Sequence, residues 1–182
     1  MDRTIFHIDV NSAFLSWSAV KRLREDPTAL DLRTIPSAVG GDVKTRHGII
    51  TARSLPAKRY GIRTAMPVVK ALELCPSLVL VPSDFETYRA YSAAFIEILH
   101  KYAPVVEQLS IDEAFLDMTG TEQSIRSAIF EQIVAGTLSG EKATELRSLA
   151  FPMNAAVLLK DEIRDTLGFT VNVGISSNTL LA

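Results

Sequence analysis

From Thr4 to Val10 the chain alternates apolar and polar positions and is rich in β-branched and aromatic residues, which predicts a strand with Ile5, His7 and Asp9 on one face. Asp9 closes that strand. Asn11 or Ser12 is placed to cap a helix running to about Arg24, with Phe14, Trp17 and Leu23 among its apolar positions and Pro27 beyond its end. Two short strand-like pieces, PSAVGG and HGIITA, follow around a Gly40-Gly41-Asp42 turn. Gly61 and Pro67 then mark a loop and the start of a short helix that stops near Cys75-Pro76.

LVLVP, Leu78 to Pro82, reads as a short buried strand. Ser83 and Glu86 form a capping box, after which Phe85, Tyr88, Phe95, Ile98, Leu99 and Tyr102 recur at helical spacing up to Pro104. Val105 to Met118 is a run of fourteen residues, too long for one flat strand, and predicts a hairpin with its turn at Asp112-Glu113. Two or three helices follow, Gly168 ends the last of them, and FTVNVGI is the final strand. Strand, helical insertion, helix, hairpin, helix and strand in that order predict an α+β chain of split βαβ type, an antiparallel sheet backed by helices. The segment from about Asn11 to Pro76 is then a small subdomain inserted after the first strand.

Apolar residues make up 47% of the 182 and charged residues 22%, an ordinary globular balance. No run approaches the roughly 20 apolar residues of a membrane span, and the start MDRTIFHIDV is unlike a signal peptide, so a cytoplasmic protein with no membrane partner is expected. Cys75 is the only cysteine, which excludes an intramolecular disulfide and a cysteine-rich zinc site. A net charge of −2 and a pI of about 5.9 do not describe a nucleic-acid binder as a whole. The average hides an asymmetry. Eight basic residues, Arg33, Lys44, Arg46, Arg53, Lys58, Arg59, Arg63 and Lys70, face a single acid, Asp42, over one segment. That segment is a candidate polyanion-facing surface, the alternative being a solvated basic loop.

Within VVEQLSIDEAFLDMTG two adjacent carboxylates, Asp112 and Glu113, interrupt a run that otherwise suits a buried strand. Adjacent acids repel, and burying either one unpaired is costly, so a counter-charge is required. Neighbouring strands lie about 4.8 Å apart. If the Thr4 to Val10 strand lies beside the hairpin, Asp9, Asp112 and Glu113 converge at one end of the sheet, and oxygen ligands without Cys or His suit a hard cation, Mg²⁺ or Mn²⁺. Two such ions completed by substrate phosphates form the clamp used in phosphoryl and nucleotidyl transfer, with the basic segment left to take the remaining phosphate charge. The competing reading makes Asp112-Glu113 a surface turn and Asp9 a helix cap.

HIDVNSAF, ITARSLPAKRYGIRTAMP, LSIDEAFLDMTG and VNVGISSNTLLA, in this order and spacing, resemble the Y-family translesion DNA polymerases, especially the bacterial polymerase IV and V branches. The resemblance covers essentially the whole chain. It implies a ferredoxin-like palm from residues 1–10 and 81–182, with fingers from 11–80 between them. It implies that Asp9, Asp112 and Glu113, with the Val10 backbone carbonyl, hold two Mg²⁺ ions for which Mn²⁺ can substitute. Phe14 falls where the family places the aromatic ring that excludes a ribose 2′-hydroxyl, although helical spacing alone would make it core packing. Lys58 stands at a triphosphate contact and Arg53 beside the nucleotide, while Leu55 replaces a phosphate-binding tyrosine of many relatives.

The implied partners are primer-template DNA and a deoxynucleoside triphosphate, with a sliding clamp or recombinase engaged through parts not matched here. The implied role is error-prone synthesis past lesions in DNA repair and the SOS response. The chain stops at Ala182, before the thumb and little finger of the family, so a fragment that folds but extends primers weakly is expected. Two other readings remain: a nucleotidyl cyclase, which shares the sheet and the two-metal chemistry, and a non-enzymatic module that binds another repair protein.

Overall fold

The computed structural model describes residues 3–41 and 48–182. Along the chain run β1 (Ile5–Val10), α1 (Ala13–Glu25), β2 (Ser37–Gly40), β3 (Ile50–Arg53), α2 (Leu55–Arg59), α3 (Val68–Leu74) and β4 (Val79–Val81). There follow α4 (Phe85–Tyr102), β5 (Val105–Gln108), β6 (Glu113–Asp117), α5 (Glu122–Val134), α6 (Gly140–Ser148), α7 (Met153–Leu167) and β7 (Val171–Ser176). The packing divides the chain into two units, Met1–Val10 with Ser92–Ala182, and Asn11–Tyr91.

In the first unit β1 lies between β6 and β7 and β5 borders β6, all antiparallel, giving the order β5-β6-β1-β7. Counting only this unit's strands, the third lies between the first and the second, which is the split βαβ order expected of a ferredoxin-like sheet. Side chains alternate across a strand, and here the two faces differ. Phe6, Ile8 and Val10 of β1 with Ala114 and Leu116 of β6 are at most 2% exposed. His7, Asp9, Glu113, Phe115 and Asp117 form the other, half-buried face.

The buried residues of α7, among them Ala155, Leu158, Leu159 and Ile163, belong to the same core, and α7 runs against β7. Phe95, Ile98 and Leu99 of α4 are buried as well. The Tyr102 hydroxyl joins the two helices by donating to Glu162 Oε2 at 2.7 Å. Burial, then the Glu162 bond, pushes its phenol well above the usual range, so it remains a donor. Gly168 ends α7 at φ 83, a conformation that glycine adopts without a Cβ penalty.

The second unit carries its own sheet, β3-β2-β4, with β2 antiparallel to β3 and parallel to β4. All four residues of β2 are buried because both faces are covered. Ala38 packs with Ile50, Ala57, Ile62, Val68, Ala71, Cys75 and Leu78, whereas Val39 packs with Leu15, Ala19 and Leu32. Ser54 ties the unit together: its hydroxyl donates to the Ile35 carbonyl at 2.8 Å and accepts from the Ser37 and Ala57 amides at 3.1 and 3.0 Å. The last of these bonds caps α2, a helix that the sequence pattern did not announce.

Several sequence expectations shift. Ser12 stands at the start of α1 with φ 47 and makes no capping hydrogen bond, while Ser16 Oγ donates to the Asn11 carbonyl at 2.6 Å. The cap of α4 is Asp84, not a Ser83-Glu86 box: Asp84 accepts from the Thr87 amide and hydroxyl at 3.1 and 2.7 Å and also holds Lys21 Nζ at 2.7 Å. A carboxylate serves all three donors, which a serine cannot. Leu78 to Pro82 contributes a half-buried strand to the second sheet. The packing divides at Tyr91/Ser92 where the sequence placed the border at 80/81, because Phe85 and Tyr88 pack their rings with Phe14 and Tyr88 also meets Trp17. Asp42 of the expected Gly40-Gly41-Asp42 turn lies outside the described residues, as do Lys44 and Arg46 of the basic segment.

The Lys21 bond, then those from Thr87, hold the Asp84 carboxyl down at about 2, below its ordinary 3.8. A depressed carboxylate stabilises the fold above the unfolded-state value and loses that contribution as pH falls through the folded one. Asp84→Asn keeps a competent cap residue but removes the charge. The difference in urea midpoint between wild type and Asp84→Asn is therefore expected to be largest at pH 6 and to narrow by pH 3; a difference that does not change with pH would exclude this role.

Candidate active site

The register between β1 and β6 decides what stands at the end of the first unit's sheet. Asp9 lies directly opposite Glu113 and His7 opposite Phe115, so all four side chains share the half-buried face. The hairpin turn carries Asp112. The Leu109 and Ser110 amides donate to the Glu113 carbonyl at 2.9 and 3.3 Å, closing the turn. Ser110 Oγ donates to Asp112 Oδ1 at 2.7 Å. The Val10 amide donates to the Asp112 carbonyl at 3.0 Å, which carries the pairing past the end of β6 and fixes Asp112 beside β1.

The helix behind the turn holds it from another side. Buried Ser92 donates through Oγ to the Ile111 carbonyl at 2.5 Å, and Gln108 Nε2 reaches both Ser92 Oγ, at 3.3 Å, and the Ser110 carbonyl, at 2.9 Å. The turn is thus anchored to α4 and to β1. Burial first, then the charges of Asp112 and Glu113, raise the Asp9 carboxyl above the ordinary carboxylate value, with His7 acting in the opposite sense. Burial and neighbouring like charge both favour the neutral form of such a carboxyl.

Glu113 is turned along the strand, and His7 Nε2–H donates to its Oε1 at 2.5 Å. Among the described residues no three His, Cys, Asp or Glu side chains are gathered at the spacing of metal ligands. The three carboxylates are neighbours, as the sequence predicts, but Glu113 is engaged elsewhere. His7 is the member of this face that sequence reasoning left without a role. Its signal was its position two residues before Asp9, on the same side of the strand.

Phe14, Arg53 and Lys58 belong to the second unit. Phe14 is half-buried, its ring stacked on Tyr88 with centroids 4.8 Å apart and flanked edge-on by Trp17 and Phe85 at 6.1 and 6.4 Å. It therefore packs in an aromatic cluster while keeping part of its surface free. Lys58 is exposed in the last turn of α2, and Leu55, at the start of that helix, is 71% exposed. Arg53, at the end of β3, has a buried Nε with no hydrogen-bond partner. Arg33 is withdrawn from the basic surface by Asp31, which it meets through Nε and Nη2 at 2.9 and 2.8 Å. Lys58, Arg59, Arg63 and Lys70 are exposed and form no ion pair among the described residues.

The impB/mucB/samB family model matches residues 8–182. The chain belongs to that family. The DNA polymerase IV of Clostridium acetobutylicum is 41% identical over all 182 residues, which make up 39% of its length, and that of Alkaliphilus oremlandii is 36% identical over the same span. The chain thus spans about two fifths of the length of these curated relatives. Among solved structures, DinB from Sulfolobus solfataricus superposes with a TM-score of 0.70 at 25% identity, over 98% of this chain and 43% of that one. The insertion ternary complex of Dbh DNA polymerase gives 0.71 at 24% identity, a likeness of fold. Family and fold agree with the Y-family resemblance of the four sequence motifs.

A carboxyl whose folded value is raised costs stability once it ionises, so neutralising Asp9 should relieve the fold. In EDTA at pH 7, Asp9→Asn is expected to melt at a higher temperature than wild type. A lower melting temperature would show that Asp9 is paired rather than repelled.

Proposed function

We propose that this chain supplies the palm and fingers of a template-directed, error-prone DNA polymerase acting in translesion synthesis and repair. The observation that carries this reading is the β1–β6 register, which sets Asp9 opposite Glu113 with Asp112 pinned beside them, in a chain whose relatives are named DNA polymerase IV. The first unit would be the palm and the second the fingers. The donor set fits a hard divalent cation, since it offers only oxygen atoms and its carboxylates repel one another. Asp9, Asp112 and Glu113, with the Val10 carbonyl, would hold two Mg²⁺ ions, with Mn²⁺ able to substitute. When bound, such ions neutralise phosphate charge and activate the primer 3′-hydroxyl.

The remaining work falls to the chain's own residues. Lys58 and Arg53 would take up triphosphate charge of the incoming deoxynucleotide, the former as a flexible point charge. Phe14, stacked on Tyr88 and so unable to swing away, would stand beneath the sugar and reject a 2′-hydroxyl sterically. Primer and template would be gripped mainly by portions of the longer relatives that this chain does not span, which also leaves room there for a sliding clamp or recombinase contact. Such an enzyme would work in the cytoplasm.

Two measurements test the reading. Mn²⁺ binding by the chain itself, followed by electron paramagnetic resonance of the free ion, should be lost or weakened at least about tenfold in Asp112→Ala. Unchanged binding would remove the cation site and leave a non-catalytic module as the better reading. The second measurement uses the chain joined to the remainder of the Clostridium acetobutylicum polymerase. There Phe14→Ala should lower discrimination against ribonucleotides roughly tenfold or more. Loss of about 3–5 kcal/mol of stability with unchanged sugar choice would instead assign the ring to core packing.

A further inference from the structure

The half-buried face of the first sheet contains, next to Asp9, a polar contact that the proposed reaction does not use. His7 and Glu113 are diagonal neighbours across β1 and β6, a spacing that long side chains can bridge. The imidazole has a neighbour on each side. On the β6 side it lies against the Phe115 ring, with centroids 4.8 Å apart and planes tilted by 36°. On the β7 side its partner is Gly174, against which the backbone of Ala182 lies. The ring is thereby aimed along the sheet, and Nε2–H meets Glu113 Oε1 at 2.5 Å.

Glu113 has three side-chain torsions and two directions open to it. Leaning forward would bring its charge to Asp9 and Asp112, and without a cation that gathers three negative charges at one strand end. Leaning back gives Glu113 a hydrogen bond to His7, although its charge still reaches Asp9. The side chain leans back, and no ligand trio is assembled among the described residues.

Resting on the reading that these carboxylates bind a divalent cation, we propose that His7 is a positioning residue, the resting partner that holds Glu113 back from Asp9 and Asp112 until a cation recruits it. Binding then requires the His7–Glu113 bond to break. A ligand whose competent state is only partly populated binds with an apparent affinity lowered by that fraction. His7 sets the fraction. Removing its donor while keeping its ring against Phe115 should raise the cation affinity and at the same time destabilise the cation-free protein, because Glu113 loses its partner.

The test compares the 182-residue wild-type chain with His7→Phe, His7→Gln, Glu113→Gln and Asp9→Asn. Mn²⁺ affinity is read by electron paramagnetic resonance, and the His7 ring nitrogens are followed by long-range ¹H–¹⁵N NMR during a Mg²⁺ titration. His7→Phe should bind Mn²⁺ about three- to tenfold more tightly, with a lower melting temperature in EDTA, and His7→Gln, which can still donate, should stay near wild type. Mg²⁺ should shift the His7 Nε2 resonance in wild type and not in Glu113→Gln. The NMR titration needs no His7 variant to fold. If Asp9→Asn abolishes Mn²⁺ binding while His7→Phe leaves it unchanged or weaker and Mg²⁺ leaves the His7 resonance still, the resting-partner role is overturned and the cation site stands. Absence of any Asp9-dependent binding in wild type overturns the cation reading and this inference with it.

Discussion

A single hydrogen bond beyond the last paired residues, from the Val10 amide to the Asp112 carbonyl at 3.0 Å, completes the register on which the candidate site rests. The period of a strand is two, so a slip of one residue between β1 and β6 would send Asp9 into the helix-backed core and Ile8 out of it. The hydrophobic pattern forbids the slip. Phe6 and Ile8 face Leu116 and Ala114 in a layer that is 0% exposed, and the energetics of that layer fix the opposite face, where His7, Asp9, Glu113 and Phe115 stand. The chemistry of the site is thus positioned by apolar packing on the other side of the sheet.

The second unit solves a different problem with the same economy of parts. Its four-residue central strand, β2, is buried on both faces and reads as a short run of small and branched residues, Ser37, Ala38, Val39 and Gly40. Burial on both faces requires a partner for every backbone and hydroxyl group. Ser37 donates to the Leu32 carbonyl, and Ser54 serves Ile35, Ser37 and Ala57 together. Fixing Ser54 also fixes α2, which carries Lys58. Lys58 and Arg59 therefore sit on a helix held by a buried hydroxyl, whereas Lys70 stands on α3 and Arg63 in the loop between the two helices.

Much of this was legible in the chain. Alternation over Thr4 to Val10, the helical spacing from Phe85 to Tyr102 and the doubled length of Val105 to Met118 each specify an element by its own period, and together they specify the split βαβ order. What was hidden depends on tertiary partners. Asp84 caps α4 through Thr87 and also holds Lys21, more than sixty residues earlier, on the same carboxylate. LVLVP joins the second sheet because Ser37 to Val39 offers a parallel edge, and no local pattern announces that. The border between units follows the rings of Phe85 and Tyr88, which recur at helical spacing like their successors but pack toward Phe14. At the site, three carboxylates were readable from the sequence; the orientation of Glu113 was not, because it is decided by a histidine across the strand.

That orientation bears on how a protein keeps a cluster of like charges folded. Burial first, and then like charges at a strand end, oppose the ionised form of Asp9, and its raised proton affinity is the sign of both. Three devices limit this opposition without removing the charges. Ser110 donates to Asp112, His7 donates to Glu113, and Asp9 remains only half-buried, so that solvent still screens it. Each relieves one carboxylate through a local contact, whereas a lysine or arginine in the same place would neutralise the cluster permanently. For the cation site proposed above, a hydroxyl and an imidazole would be suitable partners, since both could be given up to a stronger positive charge while the half-buried Asp9 stays open to it.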